Sequence, residues 1–159
     1  MLQSKINELY QTAHELLYLG VNGEPIYVDR FSQLNIEVYQ QVEALIFKYG
    51  STAEEEASLC VALLAGYKAT LCNHGDKDEK IQSILDRSWE VLEQLPANLL
   101  KCRLLVACYA EVFDEELALE AHRIIDSWGY KKLPEEEREV IEDLRNLEEN
   151  PYPWSEVEE

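Results

Sequence analysis

Leu99–Phe113 reads LLKCRLLVACYAEVF, and only Lys101, Arg103 and Glu111 in it carry charge. Built as a helix, the stretch is apolar on nearly every side, which marks an element surrounded by others rather than one lying on a surface. At fifteen residues it falls short of the about 20 apolar residues that cross a bilayer, so its surroundings are a protein core and not a membrane. The segments on either side of it read as amphipathic helices that could cover it, and the fold class that follows is all-α.

Working outward, Asp114 is a capping residue for a helix bearing Leu117, Ala118, Ala121, Ile124, Ile125 and Trp128 at helical spacing. Pro134 suits a first helical turn, and Val140, Ile141, Leu144 and Leu147 give the helix behind it a narrow apolar stripe that Asn150-Pro151 closes. Upstream, Pro96 bounds a helix carrying Ile81, Ile84, Leu85, Trp89, Leu92 and Leu95. Before it, Thr52-Ala-Glu-Glu55 has the capping-box spacing, and Ala62, Ala65, Gly66 and Ala69 give the helix behind it small side chains that let a neighbour approach closely. A helix from about Asp29 to Gly50 presents Phe31, Leu34, Val38, Val42, Leu45, Ile46 and Tyr49 on one broad face, and the first helix spans Leu2–Leu19. Pro25 makes the link VNGEPIYVDR extended. The expected architecture is one domain over 1–149, with about seven helices stacked as antiparallel hairpins and TPR-like packing locally, followed by an acidic aromatic tail at 150–159. No consistent 34-residue period supports a true repeat array.

A chain of 159 residues with 47% hydrophobic residues can bury a substantial core without staples. Lys and Arg number 14 against 32 Asp and Glu, a net charge of −18. Such a surface repels phosphate backbones, so direct nucleic-acid binding is not expected; solubility alone accounts for the charge, and it also suits a basic partner. Eleven of the acids fall between Pro134 and Glu159, against Arg138 and Arg145 alone. Half of the net charge thus sits in the last sixth of the chain.

Cys60, Cys72, Cys102 and Cys108 lie within apolar helical segments without a C-x-x-C pair or zinc spacing, so they read as core packing in a reducing compartment. The N-terminal segment, broken by Glu8, His14 and Glu15, has no secretory pattern, and a cytoplasmic location is expected. His14-Glu15 begins like a zincin motif, but Tyr18 stands where the second histidine would be. No E-x-x-H pair precedes His14, His74 or His122, and Gly20-x-x-Gly23 lacks the lysine of a phosphate loop. No catalytic residue, metal ligand or cofactor is therefore assigned. A cysteine or histidine enzyme is the rival from another class, disfavoured because apolar neighbours raise a thiol pKa.

The tail NPYPWSEVEE places Tyr152 and Trp154 in a proline-framed extended segment after an acidic helix. Aromatic anchors in such a segment suit either a peptide-like interface or a clasp folded back on the chain's own helices. The candidate partner-binding residues are Trp128, Tyr130, Tyr152 and Trp154 with Glu135, Glu136 and Glu139.

HELLYLG (His14–Gly20), PIYVDRF (Pro25–Phe31), LLKCRLLVACYAEVFDEELALEAH (Leu99–His122) and LEENPYPWSEVE (Leu147–Glu158) resemble the UpxZ family encoded in bacterial capsular-polysaccharide loci. The resemblance covers nearly the full length. It implies a non-enzymatic regulator that antagonises UpxY proteins, NusG-like antitermination factors, of other capsule loci. It further implies a target that works by docking on the clamp hairpin of RNA polymerase, a face that an acidic helical protein could occupy. Without the resemblance, a helical interaction adaptor of TPR-like kind would stand first.

Overall fold

The computed structural model describes residues 2–19, 28–70, 77–129 and 134–149. Among these residues it contains seven α-helices and no strand: α1 (Leu2–Leu17), α2 (Val28–Leu45), α3 (Ala53–Ala69), α4 (Lys77–Leu92), α5 (Leu99–Val112), α6 (Glu115–Ser127) and α7 (Glu135–Glu149). The all-α expectation is met. Of the expected extended link VNGEPIYVDR (21–30), residues 21–27 lie outside the described residues, whereas Val28, Asp29 and Arg30 are helical and open α2; Cys72 and the tail at 150–159 also lie outside the described residues. The chain forms two compact units, Met1–Gln94 and Leu95–Glu159.

In the first unit α3 packs against α1, α2 and α4, and α1 against α2. Ten of the 17 residues of α3 are buried, on all sides of the helix, which is the pattern of a central element. Its small residues work as the sequence suggests: a Cβ added at Gly66 would meet Val42 Cγ2 at 2.5 Å, so the bare backbone is what lets α2 come close. Leu9, Leu34, Val38, Leu59, Leu63 and Ile84 complete the core of this unit.

The start of α3 is a capping box shifted by one residue. Thr52 Oγ1 accepts from the Glu55 amide at 3.1 Å, as the pattern demands. Glu55 Oε1, however, accepts from the amide of Ser51 at 2.9 Å rather than from that of Thr52, and Glu56 Oε1 takes the Gly50 amide at 2.8 Å. Three donors ahead of or within the first turn are thereby satisfied, where about 1 kcal/mol per cap is at stake.

In the second unit α5 packs against α6 and α7, so the stretch that suggests a core is central to its own unit, as α3 is to the other. Asn98 caps it, its Oδ1 accepting from the Lys101 amide at 3.1 Å. It ends at Phe113, whose φ of 52° is left-handed, with the Phe113 amide donating to Tyr109 O at 2.8 Å. Asp114 then caps α6 through the Glu116 amide at 3.0 Å, as expected. Pro134 stands one position earlier than expected: its carbonyl accepts from the amides of Glu137 and Arg138, so it precedes α7 instead of opening its first turn. Cys102, Leu104, Leu105, Ala121 and Leu144 fill this core.

Candidate partner-binding surface

The acids expected to meet a partner line α7. Glu135 and Glu136 are exposed in its first turn, where the helix dipole favours negative charge, and Glu139 one turn on is half-buried. Only Val140 and Leu144 of this helix are buried, so α7 turns a narrow stripe inward and most of its carboxylates to solvent. Glu136 approaches Arg103 at 3.7 Å while remaining 71% exposed, an ion pair too open to tie up the charge. Trp128 is the half-buried C-cap that follows α6, its amide donating to Ile125 O at 3.0 Å. Tyr130, Tyr152 and Trp154 lie outside the described residues.

Beside this helix is an open groove of about 400 Å³, lined by Tyr109, Phe113, Glu115, Ala118, Leu119, His122 and Glu148. Its floor contains an edge-to-face ring pair, Tyr109 and Phe113, with centroids 5.2 Å apart. At its rim His122 Nε2 lies 2.8 Å from Glu148 Oε1, linking α6 to α7. Among the described residues no cysteine or serine lines the groove.

The cysteines behave as packing groups. Cys60, Cys102 and Cys108 are free and buried. Burial pushes the Cys60 thiol up to about 11 and the Cys102 thiol up to about 12, far from the thiolate that a nucleophile or a metal site needs. Among the described residues no group of three or more His, Cys, Asp or Glu could hold a metal ion.

A second surface feature is not visible in the sequence pattern. Phe47 is 79% exposed and Tyr49 67% exposed, on the short link between α2 and α3. Tyr49 was expected on the apolar face of the second helix. That helix stops at Leu45, and the chain turns away, carrying Tyr49 out of the buried face. Arg87 of α4, whose side chain is only 11% exposed, holds the link. It donates to Ile46 O at 3.0 Å, to Lys48 O at 2.7 Å, and to both carboxylate oxygens of Glu56 at 2.8 and 2.9 Å. Its guanidinium also lies 4.2 Å from the centroid of the Tyr49 ring. Burial disfavours charge on both partners, but the mutual hydrogen bonds and attraction outweigh it, together with the Gly50 amide on Glu56: the carboxyl is held below its ordinary pKa and the guanidinium above.

Set beside known proteins, residues 6–110 match the profile of the UpxZ family of transcription anti-terminator antagonists. The chain belongs to the UpxZ family. It is also similar to a solved structure, a transcription anti-terminator antagonist UpxZ from Bacteroides uniformis ATCC 8492, at 50% identity, with 100% of this chain and 99% of that one covered and a TM-score of 0.90. No curated protein matches the chain. UpxZ membership makes it a regulator of transcription rather than an enzyme, which removes the cysteine or histidine enzyme as a rival. No helix among the described residues is long and apolar enough to cross a membrane.

Proposed function

We propose that this chain acts in the cytoplasm by binding a NusG-like UpxY anti-terminator directly, covering the face with which that factor docks on the clamp hairpin of RNA polymerase. The target factors are those of non-cognate capsular-polysaccharide loci. The observation that carries the reading is family membership, matched over residues 6–110 and supported by full-length likeness to an anti-terminator antagonist. The charge of −18 supports it as well, since an acidic antagonist is steered toward a basic docking face. Glu135, Glu136 and Glu139, with Trp128, Tyr130, Tyr152 and Trp154, form the proposed contact surface on the second unit.

The experiment is a titration of the full chain against purified cognate and non-cognate UpxY proteins, with and without residues 150–159. Binding to non-cognate factors is expected, weakened when Tyr152 and Trp154 are removed. Failure to bind any UpxY would sink the proposal. Retained affinity in the truncated chain would restrict the surface to Glu135, Glu136 and Glu139 with Trp128 and Tyr130.

A further inference from the structure

Phe47 and Tyr49 combine two properties that rarely coincide on a protein surface. They are large aromatic side chains at 79% and 67% exposure, and the backbone that presents them is hydrogen-bonded on both flanks. Arg87 grips the carbonyls of Ile46 and Lys48, the residues on either side of Phe47. The amides of Gly50 and Ser51 are held by Glu56 and Glu55. Gly50 lies so close to the first turn of α3 that a Cβ there would sit 2.2 Å from the Glu56 amide nitrogen. Holding an exposed loop rigid in the free protein removes the ordering cost that binding would otherwise impose, and rigid aromatic groups are the side chains that serve as anchors at interfaces.

We propose that the Phe47–Tyr49 knuckle is an anchor by which this chain seizes its anti-terminator, Phe47 entering an apolar recess framed by basic side chains. This rests on the reading that the chain binds such a factor directly. The chemistry of the partner follows from what stands around the knuckle. Glu54 in the first turn of α3, and Asp86 and Glu90 flanking Arg87 along α4, are exposed carboxylates that outnumber the exposed Lys48 between the two rings, while the charge of Arg87 is already matched by Glu56. A basic rim is attracted to that setting. A second copy of this chain, bringing another −18 and the same carboxylates, is repelled by it. The segment that matches the family profile, 6–110, contains the whole knuckle and ends before α6 and α7, so the anchor lies in the part of the chain by which the family is recognised.

The test titrates the full chain and its Phe47→Ala and Tyr49→Ala variants against purified UpxY anti-terminators, with thermal unfolding measured alongside. Phe47→Ala is expected to weaken association by at least about tenfold. Its midpoint of unfolding should stay within about 2 °C, since the ring contributes little to the core. Tyr49→Ala should show a smaller loss. Association within twofold of the unaltered chain would overturn the anchor while leaving direct binding intact. No association between the unaltered chain and any UpxY would overturn both. Sedimentation showing a dimer that Phe47→Ala dissolves would overturn the choice of occupant.

Discussion

Glu56 is a carboxylate largely removed from water, its side chain 16% exposed, and still held charged. Its pKa is depressed in the folded chain because the hydrogen bonds from Arg87 and Gly50 outweigh the cost of burial. The unfolded chain therefore takes up the proton first, and the stabilisation is full above the unfolded pKa and lost as pH falls through the folded one. Glu56→Gln should cost on the order of 2 kcal/mol at pH 7, and the gap to the unaltered chain should close from about pH 5 downward. Urea melts at pH 7 and 3.5 measure this, and a gap independent of pH would contradict it. The buried thiols make a second case. With Cys60 and Cys102 pushed up to about 11 and 12, iodoacetamide at pH 8 should leave both unmodified in the native chain and label them in denaturant. Peptide mass mapping reads the outcome.

At the scale of elements, α3 is fitted to α2 at Gly66. Helix propensity alone favours alanine there by about 1 kcal/mol, but the added methyl would meet Val42 Cγ2 at 2.5 Å, and a buried valine in a helix has one preferred rotamer and little room to yield. Gly66→Ala should thus destabilise by about 1–3 kcal/mol, and the Val42→Ala background should reverse the sign of the change. Denaturant unfolding of the four chains of that cycle is the measurement. The small residues of α3, the caps at Thr52 and Asp114 and the apolar run of α5 were legible because helical period and capping chemistry are local. The end of α2 was not. Apolar residues continue at helical spacing through Tyr49, while the helix stops at Leu45 and Arg87, about forty residues away in the chain, takes the carbonyls of Ile46 and Lys48. A long-range hydrogen bond leaves no periodic signal, so the knuckle could not be read ahead of the structure. The left-handed Phe113 was equally hidden, since an aromatic residue is not the one expected where the backbone favours glycine.

For the whole molecule the dominant physical fact is a charge of −18. It was fully legible in composition, as was the concentration of acids on α7, and it governs encounter more than final affinity. The association rate with a UpxY should fall by about tenfold between 50 and 500 mM salt while the dissociation rate changes little. Stopped-flow mixing separates the two, and a salt-independent association rate would remove steering from the account. The aromatic part of the candidate surface was legible as composition only; of its four members Trp128 alone is placed, at the end of α6.

The corner between α5 and α6 also sets a ruler. Phe113 in its left-handed turn and Asp114 as cap are the only residues between the two helices, which leaves no slack to absorb a change in length. One residue inserted in α6 ahead of Ala118 would turn the rest of that helix by about 100°. Ala118, Ala121 and Ile124 would swing away from α5 together, and His122 away from Glu148. This hairpin can therefore vary in side chains but not in spacing, and the length of the sequence between Tyr109 and His122 is as much a part of the fold as the residues that fill it.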